Sequence, residues 1–372
     1  MAKNENWFSI INIDELDSPA LVVYPARVRQ NIRTAIDMIG DPQRLRPHVK
    51  TNKSADVTRL MIASGISKFK CATIAEAEML GTCNAADVLL AYQPIGPKLS
   101  RFVALIKKYP ATNFSCLTDN ISAATQMAAA FESNKITVPV YIDINVGQNR
   151  TGIAAGNEAM QLYIDCAQLK GMRPIGLHAY DGHIRDIDWN TRKKKCDEAF
   201  LPVEQMKQDI MHKGLQEPVI IAGGSPTFSI HCKRENVECS PGTFVYWDKG
   251  YSDLCPEQRF LPAALVITRV ISFPEKTKIC LDLGHKSIAA ENELSQRVYF
   301  INVSILKFIG QSEEHLVVET NSDHPYKIGD TLYGMPVHIC PTVALYERVY
   351  TVEDNEVKGE WKTVARDRKI SV

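Results

Sequence analysis

The sequence predicts an α/β protein: a (β/α)8 TIM-type barrel over residues 18–252, followed by a C-terminal β domain over 253–372 that residues 1–17 can join. Three observations carry this. Between residues 19 and 251, short apolar runs alternate with longer amphipathic ones, about eight strand–helix units in roughly 230 residues, the count and span of a parallel barrel. After about residue 255 helical periodicity nearly vanishes and short strands follow one another. The chain of 372 residues also exceeds what one small core accommodates. A doubly wound open sheet is the runner-up for the first part.

Taken in order, an apolar strand over 20–24 leads to a helix over 26–39, where Val28, Ile32, Ile36 and Ile39 fall near helical spacing. A strand ending at Lys50 precedes a helix over 55–63. Strands follow over 68–72, 87–92, 113–117, 138–144 and 175–180, each with an amphipathic run behind it, and 218–222 is the eighth. The β domain is expected to hold strands over 264–271, 277–281, 297–305, 316–319 and 343–350. Residues 7–13 can add a strand to the barrel.

Lysine plus arginine equals aspartate plus glutamate at 43 each, so no global field attracts nucleic acid. The ten cysteines show no paired CxxC spacing, and the polar residues 1–6 do not resemble a signal peptide, which points to a reduced, cytoplasmic protein. No apolar run approaches the roughly 20 residues that cross a bilayer.

If the barrel is right, chemistry belongs at the carboxyl ends of its strands. The stretch 45–53, LRPHVKTNK, sets Lys50 at such an end. There it reads as a Schiff-base nucleophile, whose amine is activated by desolvation or by a neighbouring cation such as Arg46, or as an exposed basic turn. Behind the strand over 138–144, Arg150 is either a fixed charge beside an anionic ring oxygen or carboxylate, or a surface arginine. Behind the strand over 175–180, Tyr180 either stacks on a planar ligand or caps the core, and His178 and His183 stay ambiguous. In Ala222-Gly223-Gly224-Ser225-Pro226-Thr227, backbone amides and the Ser225 and Thr227 hydroxyls can approach a phosphate, and Ser240-Pro241-Gly242-Thr243 forms a second such turn. Two small-residue turns late in a barrel match the phosphate site built after strands seven and eight. In an extended segment His338 and Cys340 face the same side and can clamp one ion, with zinc preferred to magnesium. The plain alternative is a buried histidine beside a buried cysteine.

HVKT at 48–51, RTG at 150–152, GLHAYDG at 176–182, GGSPT at 223–227, SPG at 240–242 and HICPT at 338–342 together resemble the D-threonine aldolase and D-serine dehydratase family. That family is a branch of the alanine racemase-like, fold-type III enzymes of pyridoxal 5'-phosphate, and the resemblance covers nearly the whole chain. It implies an alanine racemase N-terminal-like barrel with a C-terminal β domain, a homodimer, and Lys50 as the lysine that carries the cofactor. It further implies that His48, Arg150 and Tyr180 lie at the cofactor ring and that Gly224, Ser225, Thr227, Gly242 and Thr243 surround the phosphate. His338 and Cys340 would bind a divalent metal, zinc ahead of manganese or magnesium. Asn52 departs from the pattern, since many relatives have histidine there.

With a cofactor that acidifies the bonds at Cα and a metal beside Cβ, elimination and retro-aldol cleavage both need a 3-hydroxy amino acid, and the resemblance implies the D configuration at Cα. Elimination gives a 2-oxo acid and ammonia; retro-aldol cleavage gives glycine and an aldehyde. A His-x-Cys pair resembles the dehydratases of the family and a His-x-Asp pair the aldolases, so elimination is slightly favoured. An amino-acid racemase and a non-catalytic pyridoxal-phosphate-binding protein are the remaining alternatives, the metal pair arguing against the first and the β domain against the second. His178, His183, Arg185 and His315 are candidates to meet a distal carboxylate.

Overall fold

A computed structural model describes residues 6–303 and 307–372. The first part alternates strand and helix: β1 (Ala20–Val23), α1 (Pro25–Ile39), α2 (Ala55–Ala63), β2 (Lys68–Cys71), α3 (Ile74–Thr82), β3 (Asp87–Leu90), α4 (Pro97–Lys108), β4 (Asn113–Thr118) and α5 (Ile121–Ser133). It continues with β5 (Val138–Asn145), the short β6 (Ile153–Ala154), α6 (Asn157–Gln168), β7 (Met172–Ala179), α7 (Trp189–His212), β8 (Val219–Ala222), α8 (Phe228–His231), β9 (Val237–Cys239) and α9 (Lys249–Leu254). Local chemistry sets the boundaries. Ser54, Thr73 and Asn120 each accept a backbone N–H in the first turn of the helix they precede, while Pro25 and Pro97 sit in first turns where a missing N–H costs nothing. Gly40, at a φ of 79°, stops α1.

The parallel strands run β2-β3-β4-β5-β7-β8-β9, with β6 beside β5. The segment 45–49 closes this sheet. Leu45 bridges Cys239 of β9 and His48 bridges Lys70 of β2, both parallel, through Arg46 N–H to the Cys239 carbonyl at 2.8 Å and Val49 N–H to the Lys70 carbonyl at 2.9 Å. A ring of eight parallel stretches results, as expected for the barrel. Arg46, 1% exposed, locks the closure by donating to Glu238 of β9 at 2.7 Å and to Asp87 of β3 at 2.5 Å.

Membership of the ring differs from expectation at both ends. The strand expected at 20–24 as its first member is β1, which leaves the barrel and pairs antiparallel with β10 (Ala264–Glu275). All four β1 residues are buried, so its apolar pattern specifies two covered faces but not which sheet it joins. The eighth member is β9, three residues centred on Glu238, too short and too polar in the middle to read as a strand without the buried guanidinium that holds it.

The second part adds β11 (Lys278–Leu281), β12 (Val298–Phe300), β13 (Lys307–Gln311), β14 (Leu316–Glu319), β15 (Thr331–Pro336), α10 (Ile339–Leu345), β16 (Arg348–Glu353) and β17 (Glu356–Lys362). Its sheet runs β13-β14-β11-β10-β1-β16-β17, with β15 between β10 and β12, and is antiparallel except where β1 meets β16. The strand expected over 343–350 begins only at Arg348, because α10 occupies residues through Leu345. Of the strand expected over 297–305, Val298–Phe300 forms, and residues 304–306 lie outside the described ones, as do residues 1–5. Residues 7–13 add no strand; Trp7, Phe8, Ile10 and Ile13 pack on Val22, Leu265 and Ile267 instead.

Candidate active site

Lys50 stands where the closing segment turns out of the ring. Its backbone N–H donates to Nδ1 of His48 at 3.2 Å, so that nitrogen carries a lone pair. Burial, aided by Lys50 and Lys70, holds the His48 imidazole well below its usual range and neutral. Lys53, three residues on, sits at a φ of 50° and pairs with the buried Glu76 carboxylate. Lys50 is half-buried and has no such partner among the described residues.

The ring of Tyr180, just beyond β7, is the centre of a cationic cluster. Lys50 Nζ lies 5.9 Å, Lys70 Nζ 5.5 Å and the Arg150 guanidinium carbon 5.0 Å from its centroid. A Cβ on Gly224 would come within 2.9 Å of the Tyr180 ring, so the turn after β8 packs directly on that ring. The structure brings Lys50, Arg150 and Tyr180 together. Lys70 was not singled out in the sequence. Its side chain reaches His178 Nε2 at 3.4 Å, and His178 Nδ1 lies 2.7 Å from Asp143. Burial would raise Asp143, but the His178 bond outweighs it and keeps the carboxyl below its ordinary value, so His178 donates to a carboxylate.

The two small-residue turns meet at Ser225. Its hydroxyl accepts Gly242 N–H at 3.4 Å and Thr243 N–H at 3.2 Å, and Gln258 holds its carbonyl at 2.8 Å. A Cβ on Gly242 would sit 2.8 Å from the His48 carbonyl and 3.2 Å from Thr51 Oγ1, so this turn touches the Lys50 segment. Thr227 points elsewhere: its hydroxyl donates to Asp181 at 2.7 Å, and Asp181 also holds His231 Nε2 at 2.8 Å. The Ser240 hydroxyl is buried without a partner. Three cations without ion-pair partners among the described residues, two close-packed turns and an unpaired buried hydroxyl fit an anionic ring with a phosphate.

His338 is not in an extended run with Cys340: it caps α10, and Cys340 lies in the first turn of that helix. The two side chains still interact, and His338 Nδ1 lies 2.5 Å from Glu291 Oε1. Burial opposes a charged His338, but the Cys340 sulfur, Glu291 and Asp248 outweigh it and push its pKa up to about 9. Cys340 moves down despite burial, drawn by His338 and Lys50. Its sulfur lies 3.1 Å from Thr51 Oγ1, beside Lys50. Buried Asp248, itself pushed up to about 6 by burial, accepts the intervening Ile339 N–H at 2.9 Å. An acidic thiol and an imidazole two residues apart form a donor pair that fits a divalent ion, with the remaining ligands to come from elsewhere. Glu291 and Asp248 come from distant segments and carried no local signal. A separate buried triad, Asp181, Cys196 and His231, has its ligand atoms within 4.8 Å of one another. Its members already bond among themselves, and Arg234 Nε donates to the remaining nitrogen of His231 at 3.2 Å, so it braces the turn of Thr227.

The family described as alanine racemase, N-terminal domain, matches residues 23–249, and that described as serine dehydratase domain matches 263–352. The 3-hydroxy-D-aspartate aldolase of Paracoccus denitrificans (strain Pd 1222) is 24% identical over 367 residues, 95% of this chain and 93% of the aldolase. The D-threo-3-hydroxyaspartate dehydratase of Delftia sp. (strain HT23) is 27% identical over 237 residues, 63% of this chain and 62% of the dehydratase. Structures under that dehydratase name include a histidine-to-alanine variant and, two positions further on, a cysteine-to-alanine variant in the metal-free form; each has a TM-score of 0.77 at 22% identity, covering 94% of this chain and 95% and 98% of the variants. The crystal structure of D-threonine aldolase from Filomicrobium marinum superimposes with a TM-score of 0.88 at 24% identity, covering 96% of this chain and 98% of that one.

Proposed function

The chain belongs to the alanine racemase N-terminal domain family, with a serine dehydratase-type domain behind the barrel, and from that premise we propose that it is a pyridoxal-phosphate- and metal-dependent lyase of D-3-hydroxy amino acids, catalysing β-elimination. The observation that carries the reading is the convergence of Lys50, Arg150 and Tyr180 at one end of the barrel, with the His338–Cys340 pair tied to the same loop through Thr51.

Lys50, His48, Arg150 and Tyr180 would hold the cofactor ring, and Gly224, Ser225, Gly242 and Thr243 its phosphate; Thr227 acts on that turn through Asp181. When bound, pyridoxal phosphate supplies an electron sink that weakens the bonds at Cα. Arg150 places a fixed positive charge at the Tyr180 edge of the site, where it orients an anionic group. Lys50, which pairs with no carboxylate among the described residues, would take the Cα proton. His338 and Cys340 would hold the divalent ion, zinc by its liking for thiolate and imidazole, as a Lewis acid for a β-hydroxyl, and Glu291 fixes the His338 ring through Nδ1.

Elimination is preferred because the histidine and cysteine altered in the dehydratase variants, the second metal-free, are spaced as His338 and Cys340 are. Retro-aldol cleavage is the second reading, favoured by aldolase matches along nearly the whole chain. The test is to incubate cofactor- and metal-loaded protein with D-serine, D-threonine and D-threo-3-hydroxyaspartate and identify products by mass spectrometry. A 2-oxo acid with ammonia supports elimination; glycine with an aldehyde establishes the aldolase instead. We further take the protein to be a cytoplasmic homodimer, which sedimentation of the loaded enzyme checks for assembly; among the described residues no helix is long and apolar enough to cross a membrane, and the ten cysteines are unpaired.

A further inference from the structure

Lys70 is a buried lysine in a place where a structural lysine has no reason to be. It is 2% exposed, it lies on the barrel strand β2, and its nitrogen contacts no carboxylate among the described residues. Its bonded neighbour is His178 Nε2 at 3.4 Å, whose other nitrogen is committed to Asp143 at 2.7 Å. The charged groups around it are Lys50 and Arg46 from the closing segment, with His48 beside them, Asp143 from β5 and Asp181 from the loop after β7, while Arg150 shares the Tyr180 ring with it. Two cations and two carboxylates offset one another, so burial decides, and a dry interior without a bonded anion favours an amine over an ammonium.

We propose that Lys70 is a positioning residue of the reaction, held as an uncharged amine beside Lys50 so that Lys50 can take up a proton without a second buried cation next to it. The proposal rests on the lyase reading, in which Lys50 alternates between neutral and protonated forms. Burial first, and Lys50 second, push the Lys70 amine down to about 7, so its charge changes within the working pH range. Once Lys70 is protonated, the proton that Lys50 must accept meets a like charge in a low-dielectric site, and Cα proton removal slows. The His178–Asp143 pair serves the same end by offering Lys70 a lone pair rather than a carboxylate, which would fix the ammonium form.

The test compares Lys70→Met, with Lys70→Gln as the second uncharged variant, and the permanently charged Lys70→Arg. In the loaded enzyme, turnover of the accepted D-3-hydroxy amino acid should fall below about pH 7 in the wild type, and this limb should be lost in Lys70→Met or Lys70→Gln. Lys70→Arg should retain cofactor absorbance yet turn over roughly tenfold or more slowly across the range. The cofactor-free protein gives a readout independent of activity. An unfolded lysine titrates near 10.4, so above about pH 7 the unfolded chain binds the extra proton and stability rises with pH. The Tm of wild type relative to Lys70→Met should therefore climb between about pH 6.5 and 9. An acid limb unmoved in both uncharged variants, or a flat Tm difference, overturns the proposal. If the wild type turns over no D-3-hydroxy amino acid, the lyase reading fails, and the Tm difference still decides whether Lys70 is uncharged in the fold.

Discussion

Lys50 and Lys53 lie in one turn, yet only Lys53 is neutralised, by Glu76. That asymmetry leaves Lys50 the amine able to carry the cofactor, so Lys50→Ala should remove the covalent attachment that borohydride traps on this residue and lower turnover by a factor of roughly a thousand or more. Retention of a trapped adduct on another lysine would assign the role elsewhere. Cys340→Ala and His338→Ala should lose bound metal, read by elemental analysis, while keeping the cofactor, since their bonded partners are Thr51 and Glu291 rather than the residues around the Tyr180 ring. The residues legible in the sequence are those in short contiguous motifs: Lys50 in HVKT, Arg150 in RTG, Tyr180 in HAYDG. Lys70, Glu291 and Asp248 were not legible, because each acquires its partner from a segment far along the chain: Lys70 from His178, Glu291 from His338, Asp248 from Ile339.

Among the elements, the barrel strands between β2 and β8 and the strand ending at Lys50 could be read from the sequence, whereas β9 and the pairing that closes the ring could not. The segment 45–49 carries arginine, proline and histidine, and β9 carries Glu238; their pairing depends on charges that cancel only after folding. Arg46, with Glu238 and Asp87 on its two sides, is the keystone of this closure. Arg46→Ala should cost about 3 kcal/mol in denaturant unfolding, because it leaves Glu238 with Lys68 alone and Asp87 with solvent alone. A much smaller loss would show that water enters and satisfies them.

For the whole molecule, β1 joins the two parts by crossing into the second sheet, where it pairs with both β10 and β16 before the chain enters the barrel through α1. Deleting residues 1–24 removes an interior strand rather than a tail, so the truncated protein should lose the single cooperative unfolding transition expected of the full chain and expose apolar surface to a dye such as ANS. The grammar of alternating and then uninterrupted strands announced two parts; that the first strand belongs to the second part could not be seen, since an all-buried tetrapeptide fits either sheet.

The same strand sets a timetable for synthesis. Val22 pairs with Tyr350, and a ribosome adding roughly 5–20 residues per second delivers that partner about 15 to 65 s later. For roughly the first three quarters of that interval, until Ala264–Ile267 is made, Ala20–Val23 is an apolar segment with neither neighbour, while the barrel behind it can already begin to close. A nascent chain of this design offers its first strand to chaperones before it can offer it to itself.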